Sequence, residues 1–583
     1  MKINWKHEIN EEGRINTATI AETILKNRNI KDIKEFLNPP SPLSISLTDF
    51  NPSYKLQLIK VIRLLKEIKE KKQTIVVYTD YDADGITGGA ILWETLHFLG
   101  FHAMPYVPHR KLEGYGFSIK GIDNVKKQFN PRLIISVDHG ITAKEKIRYA
   151  KSLGISVIVT DHHLKPEELP TDAEAIFHIP ELSGSGVAYF FSKMIFENFE
   201  AGHPKGDYAR VSNLQLLTAN FEIDYLCLTT IGTIADLVPL TGASRSIVKH
   251  GLEAFQHSKR VGLKCILTDA RIEGRRVTPY EIGFMIAPRI NAVGRLEHAI
   301  DALRLLCTTD AERAKKLAAN VGEKNRLRQD MVTFAVKEAI EMINSQSVNS
   351  LIPKLIILNS SKWHEGIIGL IASKITETYY RPTIVMTQSD CHLKGSARSV
   401  PSFHITDFLR GLKKYLVDVG GHKGAAGFTI EKKNLESFMK NTQKKADKLL
   451  TEKDLERKIE ADIKIPLSKI NIKWVKELEK LQPFGMGNPQ PTFYSNGTLV
   501  DAKLFGKQNE HLKIWLCDVI PAKAGIQPLE FIAFNQAPRF TKLSRGQQID
   551  VVYSLEISRW NREERVRGKI QQLIVVDNHK TIE

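Results

Sequence analysis

At 583 residues, with 42% hydrophobic and 26% charged side chains, the chain has an ordinary globular composition and is too long for one core, so about three domains are expected. No apolar run approaches the ~18 residues of a membrane-spanning helix, and five scattered cysteines without a Cys-x-x-Cys pair fit reduced cytoplasmic thiols rather than a disulfide framework or a zinc site. The formal net charge of +17, from 83 Lys and Arg against 66 Asp and Glu, favours a polyanionic partner, because neutralised phosphates release condensed counterions.

Met1 to Asn10 (MKINWKHEIN) lacks the apolar stretch of a signal peptide, and residues 1–72 read as a mostly helical, polar N-terminal extension broken at Asn38-Pro39-Pro40-Ser41-Pro42. A domain over 73–308 follows. Its β-branched runs Thr74–Tyr78, Leu133–Val137 and Ser156–Thr160 each lead into a polar or Gly-rich turn and then a helical stretch, the pattern of a parallel sheet covered on both faces. Residues 309–347 read as one connecting helix, opened by Asp310-Ala-Glu312 and carrying Leu317, Val321, Leu327, Met331, Ala335, Ala339 and Met342 at roughly helical spacing. A smaller α/β unit spans 348–451, with strands near Lys354–Leu358 and Thr383–Thr387, a helix at Ile367–Tyr379 and a Gly-rich segment at Gly420–Gly427. Over 452–583 strands alternate with turns, at Ile459–Ile465, Gly497–Leu504, Gln548–Ile557 and Lys569–Val576, which predicts a small antiparallel barrel. Val519–Gln527 interrupts that pattern and reads as a loop insertion.

Three of these strands end in acids: Asp80, Asp82 and Asp84 after the first, Asp138-His139 after the second, and Asp161-His162-His163 after the third. The carboxyl ends of parallel strands share one edge, and ligands bind outside it. A single Asp at such a position is commonly a turn or helix cap. The set of three strand ends is different, because it gathers four to six carboxylates and two imidazoles, whose charges would repel unless cations lay among them. Carboxylates with imidazole suit Mn²⁺ or Mg²⁺, and two such ions about 3.5–4 Å apart hydrolyse phosphodiesters. No Ser-His-Asp or Cys-His pairing offers a protein nucleophile.

TDYDADGITGGA (79–90), SVDHGI (136–141) and TDHH (160–163) resemble the motifs of the DHH phosphoesterases, and GTIADLVPLTG (232–242) supplies a fourth acid, Asp236. APRINAVGR (287–295), WHEGIIGLIASKI (363–375), GSARS (395–399) and GGHKGAAGFTI (420–430) resemble the RecJ versions of the linker and the DHHA1 domain, and QPFGMGNPQPTF (482–493) resembles the entrance to the RecJ OB-fold. The resemblance covers essentially the whole chain, with His139 where Asn is expected and Thr79 where Gly is usual.

The resemblance implies a parallel-sheet DHH domain joined by a long helix to a smaller α/β DHHA1 domain, with a C-terminal OB-like β-barrel. It implies metal-dependent 5′→3′ hydrolysis of single-stranded DNA to 5′-mononucleotides, in repair and recombination. Asp82 and Asp138 would hold one ion of an Mn²⁺ or Mg²⁺ pair; Asp84, Asp138, His162 and Asp236 would hold the other. Asp80 is a further ligand or supports one, Asp161 and His163 would orient the site, and His163 would also face the scissile phosphate. Arg110, Ser396, Arg398 and His422 are implied at the 5′ end, with Arg289 and Arg295 as further strand contacts. The implied partners are single-stranded DNA, a single-strand-binding protein and a RecQ-type helicase, with no membrane.

Trp363, and Trp515 and Trp560 beside Lys513, Arg559 and Arg562, read equally as stacking partners of bases or as buried core residues. Two other classes share the acidic motifs. One is a DHH phosphodiesterase of short oligonucleotides or cyclic dinucleotides, which lacks the N-terminal extension and the OB-like tail. The other is a DNA-binding replication scaffold that has lost its metals, which the full set of acids argues against.

Overall fold

A computed structural model describes every residue except 1, 9–16, 201–214, 347–351, 390, 519–526, 561–562, 577–580 and 583. The first described element is a strand, β1 (Lys2–Glu8), and the helices Thr17–Asn27, Ile33–Leu37 and Tyr54–Glu70 follow. The strand departs from the helical reading of residues 1–72. Its pairing partner lies near the other end of the chain, where no local pattern can reveal it.

Next come β2 (Thr74–Thr79), β3 (His102–Tyr106), β4 (Leu133–Val137), β5 (Ser156–Asp161) and β6 (Ala175–His178), all parallel in the order β3-β2-β4-β5-β6. Alternate residues feed two cores, which is why the runs are apolar throughout. Ile75, Val77, Leu133 and Ile135 pack against the helices Ala83–Phe98 and Gly184–Glu200, whereas Val76, Tyr78, Ile134 and Val157 pack against Ile119–Phe129 and Lys144–Ser152. After β2 the chain goes to one side for β3 and returns to the other for β4. This reversal opens a crevice between the carboxyl ends of β2 and β4.

A helical layer ends in the 36-residue helix Ala311–Gln346, roughly 54 Å long at 1.5 Å per residue. Its first half places Ala314, Ala318 and Val321 in the core of the parallel sheet, and its second half places Ala335, Ala339 and Ile343 in that of the next unit. That unit is a mixed sheet of β7 (Ile356–Asn359), β8 (Thr383–Ser389), β9 (His392–Arg398), β10 (Leu416–His422) and β11 (Ala425–Glu431), ordered β10-β11-β9-β8-β7. Only the β7–β8 pair is parallel.

The C-terminal region contains β12 (Lys458–Lys464), β13 (Phe493–Phe505), β14 (His511–Cys517), β15 (Leu529–Ala533), β16 (Gln548–Trp560), β17 (Glu563–Val576) and β18 (Thr581–Ile582). The succession β13-β14-β15-β17-β16 closes because β16 also pairs with β13, giving a five-stranded barrel. It is not wholly antiparallel, since β15 runs parallel to β17. The insertion read at 519–527 lies outside the described residues, apart from Gln527.

β12 lies parallel to β13 and carries β1 on its outer side, with Trp5 stacked on Tyr494 at 5.2 Å. Ile20, Ile24, Leu25 and Phe36 complete the barrel's own core. The two ends of the chain therefore form one body. Arg245, 1% exposed, ties that body to the parallel-sheet region by donating to the carbonyl oxygens of Phe36, Leu481, Gln482 and Pro483. Among the described residues no helix is long and apolar enough to cross a membrane.

Candidate metal centre and substrate cleft

The turn after β2 places Asp80 and Asp82, and Asp82 caps the helix Ala83–Phe98 by accepting from the amides of Asp84 and Gly85 at 3.0 and 3.1 Å. Asp138 follows β4 with φ +68°, a left-handed conformation that Asn and Asp adopt more readily than other side chains. Asp161 ends β5, and Asp236 caps the C-terminus of the helix Tyr225–Ala235.

These residues converge as two groups that Asp138 and His162 link. Ligand atoms of Asp80, Asp82 and Asp138 lie within 4.8 Å of one another, as do those of Asp84, His162 and Asp236. His162 Nε2 joins the groups, 3.2 Å from Asp138 Oδ1, 3.4 Å from Asp236 Oδ2 and 4.0 Å from Asp84 Oδ2. Asp80 Oδ1, Asp138 Oδ1 and His162 Nε2 are buried and make no hydrogen bond. Three orphaned atoms aimed into one space fit a cation, whose coordination would satisfy all of them.

The electrostatics agree. Burial, and then the neighbouring carboxylates, push Asp80, Asp82 and Asp138 above the usual carboxylate range, and push Asp236 up to about 8. A cation would reverse those shifts. Asp161 is different: it accepts from the amides of Ile141, His162 and His163 and from His163 Nδ1 at 2.8 Å. Burial alone would raise it, but these bonds hold it below its ordinary range and keep it an anion. Burial lowers His163, and the bond to Asp161 outweighs this and takes it up to about 9.

Several supporting residues were not singled out from the sequence. The amides of Gly184 and Ser185 donate to Asp84 at 2.6 and 2.9 Å, and a Cβ on Gly184 would stand 2.4 Å from Asp138. Asn291 Oδ1 accepts from the Ala83 amide at 2.7 Å, and Tyr115 Oη lies 3.0 Å from His163 Nε2. Only Asn291 lay within a motif that could have drawn attention. His139 is a core residue, 2% exposed between Tyr78 and Phe117, with Nε2 3.0 Å from the Tyr78 carbonyl.

From the acids a cleft of about 750 Å³ runs past Arg110 and Arg295 to Ser396 and Arg398 on the second sheet. Arg110 lies over the Tyr81 ring at 5.2 Å. Arg295 is held by the Gly366 carbonyl, and burial together with the guanidiniums of Arg110, Arg328 and Arg398 pushes it down to about 10. Cations packed this closely call for an anion between them. A larger cavity of about 930 Å³ lies beside Lys249, Tyr280 and Phe484 and contains none of the strand-end acids.

Other candidates lie elsewhere. Arg289 does not face the cleft: it pairs with Asp269 at 2.8 Å and donates to the Met285 carbonyl. His422 is exposed on the β10–β11 hairpin and does not line the cleft, although it shares a register row with Arg398 through Ala425. Trp363 is 4% exposed and donates to Glu338, so it is a core residue and not a base-stacking one. Trp515 is half-buried between Lys503 and Lys513 on the barrel, whereas the Trp560 side chain and Arg562 lie outside the described residues.

Three family models match the chain: the DHH family N-terminal domain over residues 74–217, the DHHA1 domain over 350–448 and the RecJ OB domain over 461–572. A relative from Bacillus subtilis named single-stranded-DNA-specific exonuclease RecJ is 32% identical over 88% of this chain, which spans 62% of that protein's length. The protein of the same name from Salmonella typhimurium is 30% identical over 86% of this chain and 87% of its own. The crystal structure of RecJ from Thermus thermophilus in complex with Mn²⁺ matches with a TM-score of 0.78 and 27% identity, covering 98% of this chain and 79% of that one.

Proposed function

The chain belongs to the RecJ family, and on that premise we propose that it is a single-stranded-DNA-specific 5′→3′ exonuclease that uses two divalent cations, Mn²⁺ or Mg²⁺, and releases 5′-mononucleotides. The observation that carries this reading is the convergence of Asp80, Asp82, Asp84, Asp138, His162 and Asp236, with three buried ligand atoms left unbonded, at the mouth of an arginine-lined cleft.

In this reading Asp80, Asp82 and Asp138 would hold one cation, and Asp84, Asp138, His162 and Asp236 would hold the other. When bound, such a pair lowers the pKa of water and stabilises the charge that develops on a phosphate. Asp161 fixes the His162–His163 turn, and His163, with Nδ1 on Asp161 and Nε2 3.0 Å from Tyr115 Oη, orients the site beside the scissile phosphate. Arg110, Arg295, Ser396 and Arg398 hold the 5′-terminal phosphate, which sets the direction of attack. The barrel, with Trp515 between two lysines, supplies affinity for the strand by stacking and charge. A role in repair and recombination in the cytoplasm, beside a single-strand-binding protein and a RecQ-type helicase, belongs to the same reading.

The test is digestion of single- and double-stranded DNA labelled at either end, with Mn²⁺ or Mg²⁺. Mononucleotides should appear from the 5′ end of single strands only. Release from a labelled 3′ end, or cutting of circular strands, overturns the reading.

A further inference from the structure

The cleft does not stop at Ser396 and Arg398. Its floor is the face of the second sheet that carries Lys394, Ser396 and Arg398, and the helix Ile368–Tyr379 covers that face over β7, β8 and the Ser396–Arg398 end of β9. Over β11 and β10 the face is open. One register row there runs from Ser396 to Gly427 to Gly420.

These two glycines need an explanation. Neither has left-handed backbone, and a Cβ on either would meet nothing within 4 Å. Gly395 is the contrast, because a Cβ there would strike the Phe428 ring at 2.1 Å. Conformation and packing therefore account for Gly395 but not for Gly427 or Gly420. A strand glycine that neither accounts for fits a place where a ligand comes close to the backbone. The pair makes a trough continuous with the arginine end of the cleft, and Lys394, Thr429 and Asp418 form one wall, bonded through Thr429 Oγ1 at 2.8 and 3.0 Å.

The wall chemistry selects the occupant. Further phosphates would meet the carboxylates of Asp418 and Glu365, the latter held by Ser389 at 2.8 Å. Donors and acceptors in alternation suit the polar edges of a base or sugar. We propose that the trough is a subsite for a nucleoside esterified to the 5′-terminal phosphate, so the protein accepts strands whose 5′ phosphate is capped. This rests on the reading that the arginines hold that phosphate. In the cut, a water oxygen bonds to phosphorus of the first 3′–5′ linkage and the P–O3′ bond breaks. The departing O3′ takes a proton, and the shortened strand keeps the phosphate at its new 5′ end.

The test uses the full chain with Mn²⁺ and three single strands: 5′-phosphorylated, 5′-triphosphorylated, and capped by a nucleoside through a 5′–5′ phosphodiester. The 5′–5′ dinucleotide should be the first product from the capped strand, at a rate within about tenfold of that on the phosphorylated strand. Gly427→Val should slow the capped strand by about tenfold or more and the phosphorylated strand by less than about twofold. Lys394→Ala, which fills nothing, should weaken the capped strand selectively if the valine variant fails to fold. Direct binding gives a readout independent of cleavage: the 5′–5′ dinucleotide should bind more tightly than the 5′-mononucleotide, and Gly427→Val should abolish the difference. Digestion of the phosphorylated strand without the capped one, digestion of the triphosphate in preference to the cap, or equal loss on all strands in Gly427→Val overturns the subsite. Failure on every strand, with the dinucleotide still preferred in binding, would count against the exonuclease reading and not against the subsite.

Discussion

His162 Nε2 lies 3.2 Å from Asp138 Oδ1, and neither atom makes a hydrogen bond although both are buried. Two polar atoms held this close without bonding are directed at a common third point. That is the arrangement of two ligands of one centre.

Asp138→Asn tests it more cleanly than Asp138→Ala. At φ +68° an alanine would add backbone strain of roughly 1–2 kcal/mol, which asparagine largely avoids. The expected loss of turnover is on the order of 10³-fold, since cation stabilisation of the phosphate is worth several kcal/mol and each ~1.4 kcal/mol is tenfold. The melting temperature of the metal-free variant should not fall, because a buried carboxylate crowded by others has been neutralised. Near-normal turnover in a folded Asp138→Asn protein would remove Asp138 from the centre.

Gly184→Ala should damage the site without touching an acid. Its Cβ would stand 2.4 Å from Asp138, and the Gly184 and Ser185 amides that hold Asp84 would have to shift. A loss of about 10–100-fold in Mn²⁺ affinity is expected, the usual effect of losing a residue that orients a ligand. Titration of Mn²⁺ into the variant and the native chain measures it.

Arg398→Ala should reduce the preference for a 5′ phosphate over a 5′ hydroxyl. A hydrogen bond to a charged group contributes about 1.5–3 kcal/mol, or roughly 10–100-fold in the ratio of kcat/KM on the two ends. Arg398 also donates to Ser396 and to the Ala397 carbonyl, at 3.3 and 2.9 Å. A variant that is less stable but keeps the same end preference would show that those bonds are its whole role.

Removing the barrel should separate affinity from chemistry only if the N-terminal segment goes with it. A chain ending at Thr451 exposes Ile20, Ile24, Leu25 and Phe36 and should melt early or aggregate. A chain of residues 41–451 keeps every strand-end acid and should cleave short oligonucleotides while binding long strands weakly. Its salt dependence should be shallower by about 0.7 in slope for each lost phosphate contact. Equal affinity and slope in that folded chain would remove the barrel from DNA binding.

The acidic edge was legible because each acid follows a run that is apolar throughout, and only parallel strands buried on both faces need such runs. The barrel was legible from its alternation. Arg289 and Trp363 were not, because an arginine or a tryptophan inside a motif reads the same whether it faces a cleft or, as here, pairs with Asp269 or Glu338.

The sequence by itself determined which acids stand at the ends of the parallel strands, because strand ends, turns and helix caps are local and their acids follow from chain order. Only the tertiary structure decided that Gly184 approaches Asp138, that β1 extends the sheet at the far end of the chain, and that Arg245 joins the two bodies through carbonyl oxygens. Each of those contacts has a backbone group on at least one side, met by a partner far away in the chain, and backbone groups are the same in every residue. No side-chain pattern records them.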